Sequence, residues 1–305
     1  MSITVCIPTF RRPERLKALL EDLRSQELLP AQVVVVDNDA AASARSVVEE
    51  SREAGAPFRL DYDVQPLRNI ARTRNRTVQL AQGDWLAFID DDERAPPHWL
   101  RELLSAAETY HADGVHAHVE PELPADAPAW IRRGRFYDFP CPPTGMPVPH
   151  NQFRIGNCLL RGDLLRSEPG PFDERYGLKT GEDGDLLVRL ANRGAKIVAC
   201  REATVREPIE GNRLSLRWLL LRAFSGGQEF ASQKLRGRYG RIGAASASLF
   251  LVRVVGQIAA AAVLAVICLP TGFTRAAAWC IKVWANLGKL SAFWGARFEA
   301  YRRTL

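Results

Sequence analysis

Trp85-Leu86-Ala87-Phe88-Ile89-Asp90-Asp91-Asp92-Glu93 sets five apolar residues directly before four acids. An unbroken apolar run of this length marks a strand covered on both faces, as in a parallel sheet packed by helices. The acids then fall at the strand's carboxyl end, the edge where open α/β sheets bind ligands. Adjacent carboxylates repel one another unless a cation sits among them. Hard oxygen donors suit Mg2+ or Mn2+, which in turn bind nucleotide phosphates. The plain alternative is a solvated acidic turn.

The same punctuation recurs on either side. Residues 3–7 form an apolar run ending at Pro8, and four valines at 33–36 end in Asp37-Asn38-Asp39. Asp37 could accept hydrogen bonds from a base or ribose, or could cap the next element. Between the strands, residues 15–25 place Leu16, Leu19, Leu20 and Leu23 on one helical face, and 70–80 and 99–110 read as helices. Residues 115–119, 158–160 and 196–200 read as further strands, with a helix at 186–192. Repeated strand–helix units predict an α/β, right-handed, doubly wound and mostly parallel sheet. The proline-rich stretch 121–149 is expected to be a long functional loop.

Two more segments carry chemistry. Gly181-Glu182-Asp183-Gly184-Asp185 precedes a helix, so Asp183 is either a general base or an N-cap. In Arg68-Asn69-Ile70-Ala71-Arg72-Thr73-Arg74-Asn75-Arg76, helical spacing sets Arg68, Arg72 and Arg76 on one face. They would meet acids of the body or a diphosphate. His116 and His118 share one side of a strand and are expected to pack or hydrogen-bond, since no third metal ligand is evident. The six cysteines show no C-x-x-C pairing and are expected to be reduced thiols. The amino terminus reads as a strand rather than a cleavable signal.

Charge divides the chain. From Arg213 onward there are 14 Lys+Arg against 2 Asp+Glu, a balance of +12; residues 1–212 carry −6. A basic tail rich in Trp, Phe, Leu and Ala fits an anionic lipid surface better than nucleic acid, which is not expected as a partner. Residues 254–269 contain one polar member, Gln257. That is short of the roughly 20 apolar residues of a spanning helix. Basic residues flank the run on both sides (Arg236, Arg238 and Arg241; Arg275 and Lys282), so an in-plane or re-entrant helix is expected. Next, Arg275, Lys282 and Lys289 share one helical face, opposite Cys280, Val283, Trp284, Leu287, Leu290 and Trp294.

In order along residues 1–230, these pieces resemble family 2 glycosyltransferases of the GT-A fold. The resemblance rests on Ile7-Pro8-Thr9-Phe10-Arg11-Arg12, Val36-Asp37-Asn38-Asp39, Arg68-Asn69 through Arg76, Phe88-Ile89-Asp90-Asp91-Asp92 and Gly181-Glu182-Asp183. With Arg222-Ala223-Phe224-Ser225-Gly226-Gly227-Gln228, it is closest to bacterial exopolysaccharide enzymes of the succinoglycan glucosyltransferase type. The resemblance implies a GT-A domain over 1–230, and the charge and apolar pattern make 231–305 a membrane-associated helical tail. The resemblance implies donor binding by Pro8, Thr9, Asp37, Asp90, Asp91 and Arg68, a divalent metal on Asp92, and Asp183 as base. Glu182, Glu207 and Trp130 are acceptor-side or metal candidates; Glu207 stands where many relatives carry a histidine. It also implies inverting transfer from a UDP-sugar to a lipid-linked saccharide at the cytoplasmic face of the plasma membrane. The competing classes are a nucleotidyltransferase, disfavoured by the absence of a Gly-rich phosphate loop, and a non-catalytic sugar-nucleotide scaffold.

Overall fold

The computed structural model describes residues 1–168, 170–240 and 243–294. Arg241, one of the expected basic flanks, and residues 295–305 lie outside them. The chain forms two compact units. The first is built from 1–121, 139–177 and 182–208, the second from 122–138, 178–181 and 209–305.

The first unit is organised by a seven-stranded sheet. Its strands are β1 (Ile3–Thr9), β2 (Gln32–Asp37), β3 (Arg59–Val64), β4 (Trp85–Ile89), β5 (Gly114–Glu122), β6 (Asn157–Arg161) and β7 (Ile197–Pro208), in the order β3-β2-β1-β4-β6-β5-β7. β3, β2, β1 and β4 run parallel, joined by α1 (Pro13–Arg24), α2 (Arg45–Glu53) and α3 (Ile70–Leu80). The expected mostly parallel sheet is present, with one modification: β6 runs antiparallel between β4 and β5. The apolar runs are buried as expected, and Val33–Val36 and Leu86–Ile89 are almost inaccessible. Leu16, Leu19, Leu20 and Leu23 fill the space between α1 and the sheet.

Sequence reading passed over α2 and β3. β3 is an edge strand whose outer residues keep water contact, so Arg-Leu-Asp-Tyr-Asp-Val lacks a continuous apolar signal. Beyond β4, α4 (Trp99–Thr109) presents Trp99, whose indole N–H donates to Asn157 Oδ1 at 2.8 Å. The Asn157 amide in turn donates to the carbonyls of His118 and Ala203, so one buried side chain ties β6 to β5 and β7.

The proline-rich stretch is not a single loop. Residues 122–138 belong to the second unit and include a short helix, α5 (Ala129–Gly134). α6 (Gly162–Arg166) and α7 (Glu182–Asn192) complete the first unit.

The second unit is mainly three long helices, α8 (Leu216–Leu235), α9 (Ala244–Ile267) and α10 (Phe273–Ser291). α8 and α10 meet almost backbone to backbone. A Cβ at Gly227 would fall 1.9 Å from the Ala285 carbonyl oxygen, and one at Gly288 would fall 2.0 Å from that of Phe224. The Arg222–Gln228 motif therefore contains a packing glycine. α9 is longer than the 16-residue apolar run. It has 24 residues, a mean hydropathy of 2.3 over its most apolar window, and Val252, Val255, Val263 and Val266 exposed. At 1.5 Å per residue it is about 36 Å long, enough to cross a bilayer core of roughly 30 Å. On α10 the buried positions are the small residues Ala276, Ala277 and Gly288, with Asn286; Lys289 is half-buried, its ammonium 5.7 Å from the Phe230 ring centre.

This crossing yields a stability test. Gly227→Ala and Gly288→Ala should each lower the unfolding midpoint, costing about 1–3 kcal/mol or more, because backbone oxygens cannot move aside. Gly226→Ala, where a Cβ meets nothing within 4 Å, should instead gain up to about 1 kcal/mol of helix propensity. Thermal denaturation of the three variants checks the sign of each.

Candidate active site

The candidate residues of the first unit gather at the carboxyl edge of its sheet, where strand ends turn into loops. At β1, Pro8 and Thr9 are buried, and the Thr9 hydroxyl donates to Asp91 at 2.8 Å. Arg12, at the cap of α1, bridges Asp91 and Asp92, 2.9 Å from each, and Arg15 reaches Asp92 at 3.4 Å. Two guanidiniums approach the Phe10 ring, Arg68 at 4.6 Å and Arg11 at 5.1 Å from its centre.

At the end of β2, Asp37 is inaccessible. It accepts from the backbone N–H groups of Asp39 and Ala44, from the Ser43 hydroxyl and from the Tyr62 hydroxyl at 3.1 Å. It thus caps the turn leading into α2. Its neighbour Asn38 donates to the carbonyls of Gln65 and Leu67, both at 2.8 Å, and accepts from Asn69 N–H at 3.0 Å. Asn69 in turn caps α3. The two sequence signatures Asp37-Asn38 and Arg68-Asn69 are one hydrogen-bonded junction.

The arginines of the basic segment do not act as one face. Arg68 precedes the helix; Arg72 pairs with Glu174 at 2.7 Å and Arg76 with Asp63 at 2.5 Å. Sequence reading missed the central one, Arg74. It is almost wholly buried, donates to Asp90 at 3.1 Å and is ion-paired with Glu182. The i, i+4 spacing of its neighbours drew attention away from it; the signal was its place among four arginines facing an acid-rich partner.

Around Arg74 the negative charge is dense. Asp183, on the first turn of α7, accepts from Gly184 N–H at 2.8 Å and from Ile155 N–H at 3.4 Å. Glu207 is brought to Glu93 by the backbone pairing of Arg94 with Arg206. Burial pushes the Asp91 carboxyl up to about 6, Asp92 adding to the rise while Arg12 and Thr9 oppose it. Glu93 is raised well above the carboxylate range by burial and then by Asp90, Glu207 and Asp92. Burial also raises Glu182, to about 7, against the pull of Arg74, and its Oε2 has no hydrogen-bond partner among the described residues. Packing around Asp90 raises its carboxyl, Arg74 lowers it, and Asp92 and Asp183 raise it again. With 39% of its side-chain surface open, water limits that rise. Nearby His116 is held down at about 4 by burial. Among the described residues no three His, Cys, Asp or Glu side chains are arranged as a ready metal site. Trp130 lies in the second unit, its ring 5.6 Å from Phe136 and 5.2 Å from Phe273.

A mixed sheet bearing a carboxylate cluster and flanking arginines at its carboxyl edge defines an α/β class with a charged site at its strand ends, and comparison makes the class specific. Residues 4–158 match the model of Glycosyl transferase family 2, and this chain belongs to that family and is a glycosyltransferase of GT-A fold. It is 36% identical over 234 residues to the succinoglycan biosynthesis protein ExoM of Rhizobium meliloti, covering 75% of this chain and 74% of that protein. It is 30% identical over 216 residues to the amylovoran biosynthesis glycosyltransferase AmsB of Erwinia amylovora, covering 65% and 66%. In fold it resembles the mannosyltransferase PcManGT of Pyrobaculum calidifontis, solved with GDP-Man and Mn2+. The TM-score is 0.68 and the identity 17%, over 97% of this chain and 88% of that one. It also resembles residues 1–349 of S. aureus TarS, solved with UDP-GlcNAc, at TM-score 0.55 and 16% identity over 97% and 92%.

Replacing Arg74 by Met should leave Glu182 buried without its partner, at a cost of about 3–5 kcal/mol. The sign with pH follows from proton binding. The folded Glu182 carboxyl would titrate above its unfolded value, so stability is greatest at acid pH and falls as pH rises through the folded value. Unfolding midpoints of the variant measured from pH 5 to about 9 should therefore decline more steeply than those of the parent; parallel profiles would remove Glu182 from the account.

Proposed function

We propose that this glycosyltransferase transfers a sugar, with inversion, from a UDP-sugar to a lipid-linked saccharide during assembly of a cell-surface polysaccharide. The observation that carries this reading is the meeting of Asp90–Glu93, at the end of β4, with Asp183, on the first turn of α7. The polysaccharide context is supported by relatives named for succinoglycan and amylovoran biosynthesis.

In this reading the turns after β1 and β2 form the nucleotide end of the site. Pro8 and Thr9 line the base, and Asp37 and Asn38 hold the wall against which it rests. Asp90, the more open carboxylate, faces the ribose. Asp91 fixes the β1 turn through Thr9, and Arg68 and Arg12 offer positive charge to the donor's diphosphate. The Asp183 carboxylate takes the acceptor hydroxyl proton as that oxygen attacks the anomeric carbon and the nucleoside diphosphate departs from the opposite face. One displacement inverts the centre. Glu182, locked to Arg74, holds Asp183 at the head of α7.

The donor chemistry at the end of β4 fits a hard divalent cation: carboxylates outnumber Arg12 and Arg74, the arginines that pair with them. Asp92 would hold it, with Asp90 or Glu207 as further oxygen donors. Bound there, Mg2+ or Mn2+ would neutralise charge on the departing diphosphate. The basic tail and the exposed apolar face of α9 would keep the enzyme on the cytoplasmic face of the membrane, where a lipid-linked acceptor is concentrated.

Asp183→Asn keeps size and loses basicity, so turnover should fall by roughly 100-fold or more with donor affinity kept. Steady-state kinetics with isothermal titration of the UDP-sugar separates this from a purely structural cap, which would lose binding as well. Asp92→Ala should remove turnover and its sensitivity to chelator; full activity in this variant refutes the metal assignment.

For the membrane, deleting residues from 243 onward would also uncover α8, so point changes are sharper. Val252→Asp with Val263→Asp alters two exposed α9 positions and should leave the fold intact. Each charge should cost about 2.5–3.5 kcal/mol of insertion if α9 enters lipid. Cosedimentation with anionic vesicles unchanged by both substitutions would exclude α9 as the contact.

A further inference from the structure

At the junction of α8 and α9 the second unit contains a cavity of about 320 Å³ whose lining includes none of the residues given a role in the sugar transfer above. Its α9 wall is Ser246, Leu249, Phe250 and Arg253, which fall at i, i+3, i+4 and i+7 and so share one helical face. Lys234, in the last turn of α8, and Tyr239 close the other side. The Lys234 ammonium lies 5.3 Å from the Phe250 ring centre, and the Tyr239 ring stacks on Phe230 while its hydroxyl donates to Gln233 at 2.6 Å. These contacts hold the two aromatic walls and one cation in place. Among the described residues no carboxylate lines the cavity.

The N-cap residue of α9 is Gly243, which offers no side-chain cap. A long helix with an uncapped start favours an anion there. Two cations, Lys234 and Arg253, and the hydroxyls of Ser246 and Tyr239 thus line one cavity. Along α9, Leu249 leads at i+3 spacing to the exposed Val252 and Val255.

We propose that this cavity receives the phosphate group of a membrane lipid, gripped by Lys234 and Arg253, with the lipid chain lying along Leu249 and the exposed valines of α9. The assignment rests on the membrane association proposed above and adds headgroup recognition to it. A phosphate beside the two cations and an acyl or prenyl chain along Leu249 and the valines would use both features, whereas a free anion would use only one.

The test uses the full chain in vesicle flotation, with phosphatidylcholine carrying either phosphatidic acid or oleate at matched surface charge. The parent should prefer phosphatidic acid. Lys234→Gln with Arg253→Gln should lose about tenfold of that binding, the scale of charge-assisted hydrogen bonds, and lose the preference. Arg275→Gln with Lys282→Gln removes the same charge elsewhere. It should weaken binding to both vesicle types equally and keep the preference. Equal losses from both pairs on both vesicles would mean that the cavity adds only charge, and would overturn the proposal. If pyrophosphate binds in a Lys234-dependent way while vesicles show no headgroup preference, the occupant is a free anion and the lipid assignment falls. A parent that floats with no vesicle at all overturns the membrane reading itself, and is distinct from one that floats without preference.

Discussion

Repulsion among acids is the constraint around which the first unit is arranged. Four consecutive carboxyls follow β4, and Glu182, Asp183 and Glu207 arrive from elsewhere in the chain. At an effective dielectric near 20, two unit charges 4 Å apart interact by about 4 kcal/mol, so such a cluster cannot be left unbalanced. The fold answers with Arg12 from the start of α1 and Arg74 from the middle of α3, each bridging two acids. These arginines do more than compensate. Each ties the β4 turn to a different element, so charge balance and the positions of the strand ends are settled together. A surplus of negative charge remains, which is the electrostatic condition for a site that accepts a cation.

Polar side chains with several bonds complete the frame. Asn38 satisfies three partners along the loop between β3 and α3, Asn157 satisfies three on α4, β5 and β7, and the Asn75 amide exchanges hydrogen bonds with both backbone groups of Phe172. Buried amides of this kind fix loops that apolar packing alone would let slide, because an unsatisfied buried group is costly. The second unit uses the opposite device. Gly227 and Gly288 remove side chains at the α8–α10 crossing, so dispersion between backbones replaces side-chain packing.

Sequence alone determined the strand cores and the places where acids leave the sheet, because a strand buried on both faces must be apolar throughout and a ligand edge must be polar. Residues 33–36 and 85–89 were legible for that reason, as were the four-leucine face of α1 and the limits of α3. The basic, apolar character of the tail was equally plain from its charge balance. β3 and α2 were not, since an edge strand and a short surface helix carry mixed polarity. The antiparallel course of β6 was also hidden: strand direction depends on which strands flank it in the sheet, and leaves no trace in residues 157–161.

Tertiary structure decided which charges meet. Arg74 and Arg76 are two residues apart and chemically identical, yet one is buried between Asp90 and Glu182 and the other sits on the surface against Asp63. Asp37 and Asp90 both end buried strands, yet the first is enclosed by four donors and the second keeps an open face. Those differences depend on how far apart residues 74 and 182, or 37 and 62, lie in space. Local patterning specifies a residue's own strand or helix and the face it occupies; the partners across the sheet come from packing of the whole unit.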